Sequence, residues 1–264
     1  MTPATESRPR REIPWFEARV PRVHGDFTWV YLWGAPLRVM HWVSVFSIIT
    51  LVVTGLYIGQ PYFMAGGEAS SHFLMGRFRF AHFLAAAIIV MAAIVRVYWL
   101  FVGNVYERWP ALFPVTPRNL RNVWLVLKSY FTMRLEKQPH FVGHNPLAQL
   151  AYTTIYFVTA AMIVTGFSMY GQAAPGGFFD TIFGWLPPLV GGLQRVRLIH
   201  HTLLWVYPMF VLIHVYLAIR ADSVEHAGGV SSILTGGRFV SSHDTFEDFN
   251  IHDQPSEPWK SKHH

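Results

Sequence analysis

Four apolar stretches, each nearly free of charge, are the feature that most limits how this chain can fold. They cover about residues 37–58, 80–102, 147–170 and 199–220. Each is close to the roughly 20 apolar residues that cross about 30 Å of hydrocarbon as a helix. Backbone groups in lipid must bond within their own segment, and the alternation of polar and apolar residues typical of a membrane barrel is absent. The sequence therefore predicts an all-α, four-helix transmembrane bundle.

Composition supports a membrane protein and narrows its chemistry. The chain is 52% hydrophobic and 14% charged, and none of its 264 residues is a cysteine. Disulfides, iron–sulfur ligation by this chain, thiolate zinc sites and covalent c-type haem are therefore excluded, which leaves His and Met as metal ligands. The net charge of +6 is explained by loop arginines that set membrane orientation, so we expect no nucleic-acid partner.

Basic residues predict the orientation of the bundle. Lys and Arg are concentrated before the first apolar stretch and between the second and third, from Arg96 to Lys137. The positive-inside rule then places both termini and the 103–146 loop in the cytoplasm. No apolar core precedes Tyr31, so we expect no cleavable signal peptide. The predicted divisions are a cytoplasmic segment 1–30, a membrane domain 31–220 and a cytoplasmic tail 221–264, with the loops 59–79 and 171–198 outside.

Two shorter segments carry their own predictions. Segment 118–135 mixes basic with bulky apolar residues and is too short to span, which is typical of an amphipathic helix at the membrane surface. Segment 178–193 is apolar but interrupted by Gly and Pro. It is predicted to be either a folded outer loop or a docking surface for a partner.

Four histidines within the apolar stretches match in depth by pairs. His41 and His214 lie near the cytoplasmic ends of the first and fourth helices, whereas His82 and His200 lie near the outer ends of the second and fourth. His200 and His214 are 14 residues apart, which is about 21 Å and close to four whole turns, so they share a helix face. Side chains that project into a bundle core build cofactor sites. The spacing predicts two stacked metal sites.

Haem is the group that suits two imidazoles at each level. Structural zinc normally takes four protein ligands, whereas a porphyrin supplies four equatorial nitrogens and needs only two axial ligands. His201 is turned by about 100° from His200 and fits a shared face with His214 less well. We therefore favour His200 over His201 as the ligand.

An arginine precedes three of these histidines by three residues, in RVMH, RFAH and RLIH. The arginines are Arg38, Arg79 and Arg197. Each lies on the face of its histidine and one turn nearer the membrane surface, where it could pair with a haem propionate. Arginines that mark helix ends by extending toward water explain the pattern equally well.

Two glycines add a weaker signal. Gly55 follows His41 by 14 residues, and Gly166 lies at a similar depth in the third helix. Without a Cβ atom they would let a flat macrocycle approach the backbone, although close helix packing explains them as well. Both follow a threonine, in VVTGLYIG and IVTGFSMYG, and this internal echo alone is too short to establish a repeat.

Several segments together resemble a known family. They are APLRVMHW, FLMGRFRFAHF, FVGHNPLAQL and HHTLLWVYPMFVLIHVYLAIR, which with the spans between them cover nearly all of residues 30–240. The chain resembles the cytochrome b subunits of membrane-bound nickel–iron hydrogenases, which are related to the gamma subunits of formate dehydrogenase. The resemblance implies a bundle that holds two non-covalent haem b groups, the outer by His82 and His200 and the inner by His41 and His214.

The same resemblance implies a function. The chain would accept electrons from the iron–sulfur small subunit of the hydrogenase, and through it from the large subunit, and pass them to quinone in the prokaryotic inner membrane. No hydrogen chemistry would occur in this chain itself. In formate dehydrogenase relatives the quinone lies against a turn before the third helix, so His144 and Asn145 are the quinone candidates here. His144 could relay protons because a histidine titrates near neutral pH, and Asn145-Pro146 could simply cap the helix.

Other readings stay open at this point. The same anchor could serve a formate dehydrogenase or a thiosulfate-type reductase. Outside redox chemistry, the intramembrane histidines could relay protons in a channel or transporter, or be hydrogen-bonded groups in a purely structural anchor.

Overall fold

A computed structural model shows four long helices with a small sheet at one end of the bundle. The structure describes residues 23–24, 27–63, 66, 73–113, 117–131, 141–225 and 228–241. The start of the predicted cytoplasmic segment, up to residue 22, and the tail beyond residue 241 lie outside these ranges.

The elements of the described residues follow one another in a simple order. The helices are α1 (Ala35–Gly59), α2 (Leu74–Val102), α3 (Trp109–Leu112), α4 (Pro117–Phe131), α5 (Pro146–Gly171), α6 (Phe178–Phe183), α7 (Leu186–Val190), α8 (Leu193–Leu204), α9 (Val206–Glu225) and α10 (Gly229–Thr235). The strands are β1 (Val23–His24), β2 (Phe27–Tyr31) and β3 (Gly237–Ser241).

Four of these helical segments are long and apolar enough to cross a membrane. They are α1, α2, α5 and the continuous stretch Leu193–Ser223 formed by α8 and α9. The prediction of four spans is therefore confirmed. Two spans begin earlier than the apolar runs indicated, at Leu74 and Leu193, because the arginines near their starts lower the local hydropathy without ending the helix.

The fourth span is interrupted at Trp205, between α8 and α9. Pro208 explains the break, because proline has no backbone N–H and its ring clashes with the carbonyl four residues earlier, that of Leu204. The backbone N–H of Trp205 instead bonds the carbonyl of Thr202 in a tighter turn. A single straight helix was expected here, whereas the structure has a tighter turn between His200 and His214.

The bundle is assembled from two helix pairs. α1 packs along α2, and α5 packs against both α8 and α9, while α1 also contacts α8. At the end where α1 finishes, α6 and α7 fold back onto α5 and α8. We call this the loop end, defined by residues 172–192, and it corresponds to the outer side predicted from charge. The apolar segment predicted there is thus a pair of short helices.

The opposite end, which we call the sheet end, carries β1, β2 and β3. β2 pairs antiparallel with β1 and β3, with Trp29 opposite Phe239. A small core of buried residues joins the sheet to the loops before α3 and α5; its members are Val30, Leu32, Tyr106, Val142 and Val240. Residues 228–241, which the sequence assigned to a tail, thus form a helix and a strand.

A buried carboxylate connects the sheet end to the bundle. Glu107 is 1% exposed, and its oxygens accept hydrogen bonds from the backbone N–H groups of Gly34 and Asn104 and from the indole N–H of Trp99. Gly34 is the N-cap residue of α1, so the carboxylate satisfies a helix-end donor that has no partner within the helix. Nearby, α4 packs along α5, so the predicted amphipathic segment is helical over its described residues, as far as Phe131.

Candidate functional site

The structure brings His82 and His200 together near the loop end. His82 lies on α2 and His200 on α8, both half-buried, and the two imidazoles are close enough to interact electrostatically. They belong to different helix pairs, so they meet across the centre of the bundle. This juxtaposition is the outer pair that the sequence predicted, and we call it the loop-end pair.

Each imidazole of the loop-end pair contacts a threonine that lies on one of the other two spans. Thr54 Oγ1 on α1 lies 2.9 Å from His82 Nδ1. Thr165 Oγ1 on α5 lies 2.8 Å from His200 Nδ1. All four spans therefore contribute a side chain to this level of the bundle. Neither threonine was among the predicted site residues, although each directly precedes one of the two glycines in the internal echo.

The adjacent glycines pack against the same two rings. A Cβ atom added to Gly55 would lie 3.4 Å from His82 Cε1 and 3.2 Å from Leu204 Cδ1. A Cβ atom added to Gly166 would lie 3.5 Å from His200 Cε1. The two glycines thus leave room beside the imidazoles, as a flat ligand between them would require.

His201 is placed differently from His200. Its side chain is exposed and its ring packs against Gly59 near the end of α1. It also lies near enough to His82 for an electrostatic interaction. His200, in contrast, is half-buried and contacts Thr165. Of these two adjacent histidines, His200 is thus the one that faces the threonine of α5.

His41 and His214 form the second pair, toward the sheet end. His41 lies on α1 and His214 on α9, and their imidazoles interact electrostatically. His214 stacks on Phe210 with ring centroids 5.5 Å apart. His41 Nδ1 is buried and makes no hydrogen bond to any atom of the described residues. We call this the sheet-end pair.

The three arginines of the repeated motif differ in their surroundings. Arg38 is half-buried and donates from Nη1 to the backbone carbonyl of Leu234 in α10, while its Nε atom is buried without a hydrogen bond to the described residues. Arg79 is exposed, and so is Arg197, which donates to Gln194 Oε1 at 3.4 Å. One of the Arg38 hydrogen-bond donors is therefore already used by α10 at the sheet end.

A series of aromatic ring contacts connects His144 to the sheet-end pair. Its ring centroid is 4.8 Å from that of Trp33 and 5.0 Å from that of Tyr152. Tyr152 in turn lies 6.0 Å from the ring of His214. His144 Nδ1 is buried and makes no hydrogen bond within the described residues.

Asn145 has the local role that the sequence left open. Its Oδ1 accepts a hydrogen bond of 2.8 Å from the backbone N–H of Ala148, and Pro146 occupies the first helical position of α5. Asn145 is therefore the N-cap of α5, as the Asn-Pro pair allows. The cap determines where the chain enters the helix and so holds His144 beside Tyr152.

The protonation of His144 differs from the expectation for an ordinary histidine. Burial, together with the smaller electrostatic effects of Arg96 and His214, lowers the pKa of His144 to about 3. A relay that depends on titration near neutral pH is therefore not available to this side chain in the described state. This burial is a property of the tertiary structure, so the unperturbed pKa was the only value that the sequence could supply.

Arg96 is a further site residue that sequence reasoning missed. We counted it among the loop arginines, but it lies within α2, where its Nε donates to Tyr156 Oη at 3.0 Å and its Nη2 donates to the backbone carbonyl of Glu107 at 3.2 Å. Its Nη1 is buried without a hydrogen bond to the described residues. A charge six residues before the end of an apolar helix was the available signal, since such charges mark functional positions.

The donor set fits haem better than a protein-only metal site. Within the described residues no group of three or more His, Cys, Asp or Glu side chains is placed to hold a metal ion. Two pairs of imidazoles at two levels, one of them flanked by glycines, match the requirement of a porphyrin for two axial ligands and a flat space.

Comparisons with known proteins show which family of proteins the chain resembles. A family model described as prokaryotic cytochrome b561 matches residues 32–236. A "Probable Ni/Fe-hydrogenase B-type cytochrome subunit" of Cupriavidus necator is 40% identical over 210 residues, which is 79% of this chain and 86% of that protein. A protein of the same description from Azotobacter vinelandii is 42% identical over 215 residues, 80% of this chain and 89% of that protein. The "Probable Ni/Fe-hydrogenase 1 B-type cytochrome subunit" of Escherichia coli K12 is 33% identical over 216 residues, 79% and 90% of the two chains.

Proposed function

The chain belongs to the prokaryotic cytochrome b561 family, and from that premise we propose that it is the di-haem membrane anchor of a nickel–iron hydrogenase. As a b-type cytochrome with four apolar helices, it is a multi-pass protein of the prokaryotic inner membrane and binds haem b. In the proposed role it accepts electrons from the iron–sulfur small subunit of the hydrogenase and passes them to the quinone pool. Hydrogen itself is oxidised in the partner subunits.

The observation that carries this proposal is the presence of two histidine pairs at two levels of one bundle. His82 and His200 would hold one haem near the loop end, and His41 and His214 would hold the other near the sheet end. Each haem, when bound, supplies a one-electron carrier whose potential depends on its axial ligands and surroundings. The chain supplies the imidazoles, the glycine space at the loop end and apolar packing that excludes water.

The distribution of basic residues supports an orientation with the sheet end in the cytoplasm. The loop between α2 and α5 carries most of the loop Lys and Arg residues, and this loop lies at the sheet end. The loop end then faces outward and is the side at which the iron–sulfur partner would bind. Names of the curated relatives support a hydrogenase as that partner.

His144 is the centre of the proposed quinone site. Its unbonded Nδ1 atom offers a hydrogen bond to a quinone oxygen, and its ring is connected to His214 through Tyr152. Arg96 adds a positive charge near His144 and a buried N–H donor without a partner among the described residues. A partly reduced quinone oxygen carries negative charge, which both features would stabilise. Asn145 contributes by capping α5 and positioning His144.

The test of the haem proposal is a reduced-minus-oxidised optical spectrum of the detergent-purified full chain, with haem and protein both quantified. Wild type is expected to hold two b-type haems per chain, and His82→Ala and His214→Ala are each expected to hold one. A folded wild type without haem absorbance would overturn the proposal and favour the proton-relay alternative. Two haems retained in both variants would overturn the assigned ligands.

The quinone and partner assignments have separate tests. His144→Ala is expected to retain both haems and to slow quinone reduction by the complex at least tenfold; an unchanged rate at full haem content would remove His144 from the site. Val211→Ala, an exposed apolar position on α9, is the matched control.

The partner is tested by purifying the chain with the proteins bound to it. Co-purification with a nickel–iron hydrogenase is expected. Recovery of a formate dehydrogenase or a thiosulfate-type reductase instead would mean that the chain is the membrane anchor of that enzyme.

A further inference from the structure

The two threonines of the loop-end pair each carry a second hydrogen bond that determines the direction of the first. Thr54 Oγ1 lies 2.6 Å from the backbone carbonyl of Thr50, and Thr165 Oγ1 lies 2.7 Å from that of Ala161. A hydroxyl has one hydrogen to donate, and a carbonyl oxygen can only accept. Both hydroxyls therefore donate along their own helices and have only lone pairs to offer to the histidines.

This arrangement selects one tautomer at both histidines. A hydroxyl that has already donated its proton can bond His82 Nδ1 or His200 Nδ1 only if that nitrogen carries the hydrogen. A neutral imidazole has a single N–H, so Nε2 of each ring is left with its lone pair. A lone pair on Nε2 is what a metal ligand requires.

The sheet-end pair lacks this support on at least one side. His41 Nδ1 is buried and has no hydrogen-bond partner among the described residues. A hydrogen bond from Nδ1–H to an acceptor makes Nε2 more basic and favours the ferric state of the iron it binds. The threonines therefore distinguish the two levels of the bundle chemically as well as in position.

We propose that Thr54 and Thr165 are positioning residues that accept the Nδ1–H of His82 and His200, direct both Nε2 atoms to one iron, and hold its potential below that of the sheet-end iron. The inference rests on the proposed function, since it takes these histidines as ligands. The Thr-Gly pairs on α1 and α5 then have the same role: the threonine orients the histidine ring, and the glycine leaves space beside it. A potential that rises from the loop end to the sheet end favours electron flow toward the quinone side.

The experiment is a potentiometric titration of the purified full chain, followed in the haem absorption bands. In Thr54→Val and Thr165→Val, which keep the shape of the side chain but not its hydroxyl, two haems remain and one midpoint potential shifts to more positive values. Thr54→Ser and Thr165→Ser restore the hydroxyl and the wild-type potentials. Thr50→Val and Thr154→Val are the controls, because these threonines bond the carbonyl four residues earlier without contacting a histidine.

Unchanged potentials in both valine variants at full haem content would overturn the inference while leaving the haem proposal intact. A shift of the same size in the serine variants would also overturn it, since packing rather than the hydroxyl would then be responsible. A second measurement needs no substitution: in ¹⁵N-histidine spectra of the reduced wild type, His82 and His200 are expected to show slowly exchanging Nδ1–H protons. Rapid exchange of both protons would contradict the proposal. Absence of haem from wild type would instead overturn the function on which it rests.

Discussion

Thr165 Oγ1 lies 2.8 Å from His200 Nδ1, and this contact distinguishes His200 from the adjacent His201. His201 lies on the neighbouring face of α8, exposed and packed on Gly59. Metal-binding histidines usually donate their second ring N–H to an acceptor, and Thr165 is placed to be that acceptor for His200. The two identical side chains therefore have different surroundings, and the proposed ligand role falls to His200.

The first prediction follows from this difference. His200→Ala is expected to lose the loop-end haem and keep the other, whereas His201→Ala is expected to keep both. Haem per chain, measured from the reduced spectrum at equal protein concentration, distinguishes the two. Loss of a haem in His201→Ala together with retention in His200→Ala would reverse the assignment.

A second prediction concerns the space beside the loop-end histidines. In Gly55→Val and Gly166→Val the new side chain meets His82 or His200, because even a Cβ atom lies within 3.5 Å of these rings. We expect each variant to lose the loop-end haem and retain the sheet-end haem. Gly76→Ala is the control, since its Cβ would meet only Phe73 Cβ at 3.8 Å. Two haems in the valine variants would mean that the glycines serve helix packing alone.

A third prediction uses the lowered pKa of His144. Because its pKa is about 3 in the folded chain and about 6.5 in an unfolded one, the neutral side chain contributes full stability above pH 6.5, and this contribution is lost as the pH falls toward 3. At pH 5 the loss amounts to about 2 kcal/mol, since one pKa unit corresponds to about 1.4 kcal/mol.

The measurement is the free energy of unfolding of the detergent-solubilised chain at pH 7 and pH 5, for wild type and for His144→Gln. Wild type should lose more stability than the variant on acidification, because the variant has no proton to take up at this position. Other histidines are present in both proteins and cancel in the comparison. Equal losses would show that His144 titrates alike in the folded and unfolded chains.

A fourth prediction concerns Glu107. Glu107→Gln replaces a carboxylate that accepts three N–H bonds with an amide that has one oxygen, so at least one buried donor loses its acceptor. The expected cost is about 2 kcal/mol in the free energy of unfolding. Val105→Ala, an exposed substitution in the same turn, should change stability by less than about 0.5 kcal/mol. A similar small change in Glu107→Gln would mean that water replaces the lost acceptor.

The four spans were predictable because the length and hydropathy of an apolar run determine whether it can cross a bilayer, and both can be read from the local sequence. The depths of the histidines were predictable for the same reason, since a helix converts residue number into distance at a fixed rise. The starts of α2 and α8 were not, because Arg77, Arg79 and Arg197 lower the local hydropathy without ending a helix.

The roles of Thr54, Thr165 and Arg96 could not be predicted from one sequence. A Thr-Gly step is too short to be informative until the histidines of other helices are placed beside it. Arg96 lies within the predicted span 80–102 and was counted only with the basic residues that set orientation, because its partners Tyr156 and Glu107 are distant in sequence. The pairing of β2 with β3 joins residues about 200 positions apart, and no local pattern indicates so distant a partner.

That pairing also imposes an order on biosynthesis. β2 precedes α1, yet its partner β3 emerges from the ribosome only after all four spans have been made. The backbone N–H groups of Leu32 and Trp33, which bond the carbonyl of Gly236, therefore have no such partner during most of translation. The sheet end is therefore the last part of the described structure to be completed, after the four spans that lie between its two strands have been synthesised.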